Sequence, residues 1–173
     1  QDSVDNTLYL PLAIAFHTGS VVTNEIMYAP AGNEPEWVEI VNLRNDTLDL
    51  MSWVVSDNTQ SGRRTISTAP APLAPGGMAV LTRDSAALRS TYPGMPPVII
   101  LVPGFPALNN TGDAVVIFDE NASVMDSVAY LPSWGGNAGS SLERMDPWAE
   151  GNDPLNWATS TDTLGATPGD TNS

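Results

Sequence analysis

Apolar and polar residues alternate along most of this chain in short runs, the period of two that sends successive side chains to opposite faces of a strand. Such runs span 20–28, 37–43, 48–55, 78–82, 98–102, 114–118 and 123–130, with a weaker one at 141–145. Turn formers separate them: APAGNEP, RNDT, SDNTQSG, APLAPGG, NNTGD, DENAS and PSWGGNAGS. Asn, Asp and Gly in these stretches tolerate the left-handed backbone that tight turns need. One segment, RDSAALRSTYPG, predicts a short helix, with Asp84 or Ser85 as N-cap, Ala86 to Arg89 as helix formers and Pro93-Gly94 as the stop. Seven or eight short strands and one helix read as an all-β fold, an antiparallel β-sandwich.

The stretch EPEWVEIVNLRNDTLDLMSWVVSD, Glu34 to Asp57, poses the sharpest question. Alternation puts Trp37, Val41 and Leu43 on one strand face and Val38 and Ile40 on the other, so both faces are apolar and the strand is central. Glu39 then falls on the Trp37 face. A half-buried carboxylate there needs partners, such as backbone amides, hydroxyls or an arginine, because burying one unpaired is costly. Glu39 is therefore read as structural, with Asn42 closing the strand by bonding into the following turn. Trp37 and Trp53, inside strand patterns, are read as core residues.

Composition narrows the classes of function. The chain has 173 residues, enough for one domain, with 20 acidic against 6 basic residues and a net charge of −14. All six cations are arginines. So acidic a surface disfavours nucleic acid, whose affinity comes from Lys and Arg displacing counterions, and anionic membranes. No apolar run reaches the ~18 residues of a membrane helix, and LYLPLAIAF (Leu8 to Phe16) is short, interrupted by Pro11 and without the flanks of a signal peptide. The first 19 residues read as an arm or linker, apolar towards its end and suited to a sheet edge, and 20–173 as the domain. The absence of cysteine removes disulfides, thiolate catalysis and zinc–thiolate sites.

Candidate chemistry is sparse. The one histidine, His17, lies in the arm, and no G-x-S-x-G, P-loop or G-x-G-x-x-G occurs. Glu36 and Glu39, three apart on a strand, point to opposite faces and form no acid/base pair with each other. Asp57, Asp113, Asp119 and Asp126 stand at strand ends or turns. None fits the twelve-residue calcium loop, yet separate loops of a sandwich can pool calcium ligands, so these four are the metal candidates and calcium the one cofactor to consider. Trp134, Trp148 and Trp157 lie in the loop-like PSWGG, DPWAE and LNWAT and are the candidates for stacking on a sugar. The N-x-S/T sites at Asn45, Asn109 and Asn121 matter only in a eukaryotic secretory pathway.

Taken in order, several pieces resemble the lamin tail domain family, in its bacterial exported form. VVTNEIMYAP is similar to the opening strand, and the Trp37-x-Glu39 strand ending in Asn42, followed by a turn and the strand carrying Trp53, to the hallmark. LAPGGMAVLTRD is similar to the proline-glycine turn and next strand, and NNTGDAVVIFDENASVMDSVAY to a hairpin around an acidic turn. SSLERMDP, NDPLNWATS and ATPGDTN resemble the terminal elements. The resemblance implies an immunoglobulin-like sandwich without a catalytic site. In bacteria it implies a secreted or cell-surface binding or tethering module, with a protein or cell-surface glycan as partner. The chain lacks the basic character and heptads of the nuclear relatives, so chromatin binding is not carried over.

Overall fold

The computed structural model describes residues 16–57, 59–95 and 98–173. The arm expected over residues 1–19 therefore lies mostly outside the described residues. Among the described residues twelve strands form, in chain order β1 (Val21–Met27), β2 (Trp37–Asn42), β3 (Leu48–Asp49), β4 (Val54–Ser56), β5 (Arg64–Thr65), β6 (Pro72–Leu73), β7 (Met78–Thr82), β8 (Ile99–Leu101), β9 (Asp113–Phe118), β10 (Val124–Tyr130), β11 (Leu142–Arg144) and β12 (Trp157–Thr159), with helix α1 (Ser85–Thr91) between β7 and β8. A six-stranded sheet, β12-β11-β1-β2-β7-β8, faces a four-stranded one, β10-β9-β4-β5, and β3-β6 makes a small third pair. All pairs are antiparallel except β7 with β8, which the α1 crossover makes parallel.

The core between the sheets is built from one face of each strand. Val38 and Ile40 of β2, Ile26 of β1 and Ala79 and Leu81 of β7 meet Trp53, Val55, Val115, Ile117 and Val128 from the opposite sheet. Each large side chain sealed this way contributes about 1.5–3 kcal/mol of transfer free energy. Tyr28 and Tyr130 stack at 5.0 Å between ring centroids, and their hydroxyls donate outward to the carbonyls of Gly135 (2.9 Å) and Asn109 (3.1 Å).

The expected continuous strand 48–55 is broken. Ser52 takes φ 67°, so Leu48–Asp49 pairs with β6 while Val54–Ser56 joins the four-stranded sheet. The helix follows its cap: Asp84 accepts from the N–H of Ala86 (3.1 Å) and Ala87 (3.0 Å).

The other face of the six-stranded sheet is covered too. Met27, Trp37 and Val80 pack under Leu88 and Tyr92 of the α1 segment and Ala166 near the C-terminus. Trp37 and Tyr92 meet edge-on at 6.2 Å, and both donate to Glu34 Oε1, at 2.9 and 2.7 Å. Residues 166–173 run across the remainder of this face as a strap. Gly165 leads into it with φ 82°, and a Cβ there would stand 2.0 Å from the Gly139 carbonyl oxygen.

Candidate functional site

Glu39 lies under the strap, and it is not alone. Cross-strand register sets Glu25 opposite Glu39 on one side and opposite Glu143 on the other, so three carboxylates stand in a row across β2, β1 and β11. Glu25 and Glu39 are 0 % exposed and Glu143 is 1 % exposed. The half-buried position expected for Glu39 is thus corrected to full burial, because the strap closes over it.

The strap supplies the donors. Thr167 donates its N–H to Glu25 Oε1 (3.0 Å) and its hydroxyl to Glu143 Oε1 (2.8 Å). Gly169 N–H donates to Glu39 Oε2. Ser173 N–H and Oγ reach Glu143 Oε2 at 2.8 and 3.0 Å. From the sheet, Asn24 Nδ2 donates to Glu39 Oε1 at 2.8 Å and the Ser141 hydroxyl to Glu25 Oε1. Asn172 ties the strap down further, its Nδ2 donating to the carbonyls of Arg144 (2.7 Å) and Asn24 (3.1 Å). No arginine serves Glu39, contrary to one expected option. Glu25 Oε2 has no partner among the described residues.

Burial, reinforced by the neighbouring carboxylates and opposed by these hydrogen bonds, pushes Glu25 up to about 8 and Glu39 up to about 7. Glu25 therefore keeps its proton at neutral pH and Glu39 shares in it. Chemically the row is a clamp that fastens the C-terminus to the sheet, sealed from any substrate.

The four aspartates singled out in the sequence do not converge. Asp57 accepts from Thr59 N–H (2.6 Å) and Oγ1 (2.7 Å). Asp113 accepts from Asn109 N–H (3.1 Å) and Ala114 N–H (2.9 Å). Asp119, at the far end of β9, caps its turn through Asn121 N–H (2.9 Å) and Ser123 N–H (2.7 Å). Asp126 accepts from Thr23 N–H at 2.7 Å and pairs with Arg144, Nη1 to Oδ2 at 3.4 Å. Burial raises the Asp126 pKa, while Thr23 and Arg144 hold it back. Asp113 and Asp119 bound one strand, about 20 Å apart at ~3.3 Å per residue. Among the described residues no group of three or more His, Asp or Glu is placed to hold a metal ion. His17 is exposed.

The tryptophans divide. Trp53 is 0 % exposed, and Trp157, 4 % exposed, donates its Nε1–H to Gly151 O (2.8 Å) beneath the Arg144 guanidinium. Trp134 packs against the main core. Of the three rim candidates only Trp148 stands open, at 74 % exposure. It lines a shallow cleft of about 490 Å³ with Leu43, Arg44, Asn45 and Asp46. Arg44 and Asp46 there form a two-pronged pair at 2.6 and 2.9 Å. Asn42 organises the base of that turn: its Nδ2 donates to Asp46 O and Leu73 O, both at 2.9 Å, and its Oδ1 accepts from Arg44 N–H at 2.9 Å.

Sequence reasoning missed Glu25, Glu143 and the Asp126–Arg144 pair. The signal for the first two was present: each is a glutamate inside a strand run, as Glu39 is. Nothing local shows that all three share a row.

The Lamin Tail Domain family profile matches residues 15–132. The chain belongs to the lamin tail domain family. The match includes Glu25 and Glu39 and stops before β11, β12 and the strap, so Glu143 and the covering residues lie beyond it. A solved structure that this lamin tail domain resembles is a DUF4876 family protein from Bacteroides thetaiotaomicron VPI-5482, with a TM-score of 0.51 and 14 % identity over 86 % of this chain and 69 % of that one. At that identity the likeness speaks for the fold alone. No curated protein matches. Among the described residues no helix is long and apolar enough to cross a membrane.

Proposed function

We propose that this lamin tail domain is a non-catalytic binding and tethering module of an exported or cell-surface bacterial protein, comprising residues 20–173 with the preceding residues as its linker. The observation that carries the reading is the contrast between its carboxylates and its open surface. Its most proton-retaining acids are sealed beneath the strap at 0 % exposure, where no substrate reaches them. The Trp148 cleft instead offers a large aromatic face beside a guanidinium, an amide and a carboxylate. Such a set suits a cell-surface glycan, with a pyranose ring against the indole and hydroxyls on the planar polar groups, and it suits a protein side chain of similar shape.

The test is a binding panel of cell-wall polysaccharides and surface proteins, read by tryptophan fluorescence and by retention on immobilised ligand. Trp148→Ala abolishes binding, Glu39→Gln leaves it intact, and no panel member is cleaved. Binding that is indifferent to Trp148→Ala, or turnover of any panel member, overturns the reading.

A further inference from the structure

The loop joining β11 to β12, residues 145–156, carries the same short device twice. In Asp146-Pro147-Trp148 and in Asp153-Pro154-Leu155, the Asp Oδ1 accepts the N–H of the residue two ahead, at 2.9 and 3.0 Å. Each copy thereby fixes a carboxylate beside an apolar residue that stands open, Trp148 at 74 % and Leu155 at 82 % exposure. Met145, where the loop begins, is exposed as well. Apolar side chains left in water contribute little to folding, yet the loop that presents them is firmly built. The buried Asn156 donates its Nδ2 to the carbonyls of Asp146 (2.9 Å) and Glu150 (3.3 Å), and its Oδ1 accepts from Asp146 N–H (2.9 Å). Arg144 and Trp157 donate to the carbonyls of Ala149 and Gly151. Asn152 bonds Ala129 N–H and Ser127 O of β10. A partner that docks here meets a preformed surface and has little of it to order.

Charge decides among the occupants. Asp146, Glu150 and Asp153 are exposed, and no Lys or Arg occurs from 145 to 156. The neighbouring Arg144 is 3 % exposed and committed to Asp126 and Ala149 O. A second copy would set these carboxylates against their own kind, and an anionic membrane is repelled in the same way. A neutral glycan stacks on Trp148 but brings no counter-charge to the acids and no apolar partner for Leu155. A tryptophan anchor within a charged rim is the make-up of a protein-docking surface.

We infer that this loop docks a cationic protein segment, one whose apolar side chains cover Trp148 and Leu155 while its Lys or Arg side chains pair with Asp146 and Asp153. The loop's role rests on the binding function proposed above for Trp148 and narrows the partner to one class.

Fluorescence anisotropy of the full chain with a short labelled peptide of alternating Leu and Lys tests this, with Leu–Glu and Ser–Lys peptides as controls and immobilised cell-wall polysaccharide as a second arm. The Leu–Lys peptide binds at least about tenfold more tightly than either control, and raising salt from about 50 to 500 mM weakens it. Leu155→Ser, at an exposed position, leaves the melting temperature unchanged and weakens binding about fivefold, and Trp148→Ala weakens it at least about thirtyfold. Asp146→Asn combined with Asp153→Asn keeps both turn acceptors and removes the charges, so association slows and the salt dependence flattens. Leu–Lys binding that ignores Leu155→Ser and the paired Asn changes, equal binding of the controls, or no peptide binding overturns the docking role. Polysaccharide retention that needs Trp148 but survives those changes overturns it while the binding module stands; failure of every probe removes both.

Discussion

Replacing Glu25 with glutamine removes the carboxylate whose proton is held most tightly, while keeping its shape and its acceptor for Ser141 and Thr167. The Glu25 pKa rises from 4.5 in the unfolded chain to about 8 in the fold. Its stabilising contribution is therefore complete below pH 4.5 and is lost progressively as pH climbs to about 8, because the unfolded chain sheds the proton first. Each pH unit across that window costs about 1.4 kcal/mol, and the whole shift corresponds to roughly 5 kcal/mol. Glu39, raised to about 7, adds the same slope up to that pH. The parent thus loses about 3 kcal/mol per pH unit between pH 5 and 7, a large share of the ~5–15 kcal/mol that holds a domain together. Urea unfolding in buffers from pH 5 to 9 reads this directly. Glu25→Gln makes the slope below pH 7 shallower by about 1.4 kcal/mol per unit, matches the parent near pH 5 and exceeds it at pH 9. Asp126 and Glu36, whose pKa values burial also raises, titrate in both proteins and drop out of the difference. Equal slopes in the two proteins, or a parent whose stability rises from pH 5 to 8, would refute the buried, proton-holding state of Glu25 and Glu39.

Four further outcomes follow from particular contacts. Asp126→Ala strands the Arg144 guanidinium, 3 % exposed, inside the protein, and lowers the unfolding free energy by about 3–5 kcal/mol; millimolar calcium and chelator leave the parent's melting temperature unchanged, since Asp126 is engaged by Arg144 and Thr23. Gly165→Ala sets a Cβ against Gly139 O at a left-handed φ and costs at least about 1–3 kcal/mol, with hydrogen exchange of the Thr167 and Gly169 amides accelerated as the strap lifts. Trp148→Ala alters the urea midpoint by less than the equivalent of about 0.5 kcal/mol, as befits an exposed side chain, so any binding it abolishes is lost at the surface and not through unfolding.

Much of the architecture was legible because strands announce themselves locally. β2, β7, β9 and β10 follow the alternation within a residue or so, and α1 begins where Asp84 can cap it. The short pairs β5 and β6 escaped, since two residues carry no period, and so did β12, whose Trp157 sat in an apparent loop. The run 48–55 divides at Ser52 for a reason invisible in hydropathy, a single left-handed backbone angle.

By itself, the sequence determined which residues form the longer strands, which faces of those strands are apolar, and that the chain offers no thiol, no nucleophile elbow and few basic residues. Those properties live in period, composition and spacing, each readable over a few residues. Only the tertiary structure decided that Glu39 is sealed, because its cover, Gly169, lies 130 positions away along the chain. The same holds for the company Glu39 keeps with Glu25 and Glu143 and for the burial of Trp157 while Trp148 stays open. Register between distant strands sets these features, and register is fixed by how whole sheets pack rather than by any local pattern.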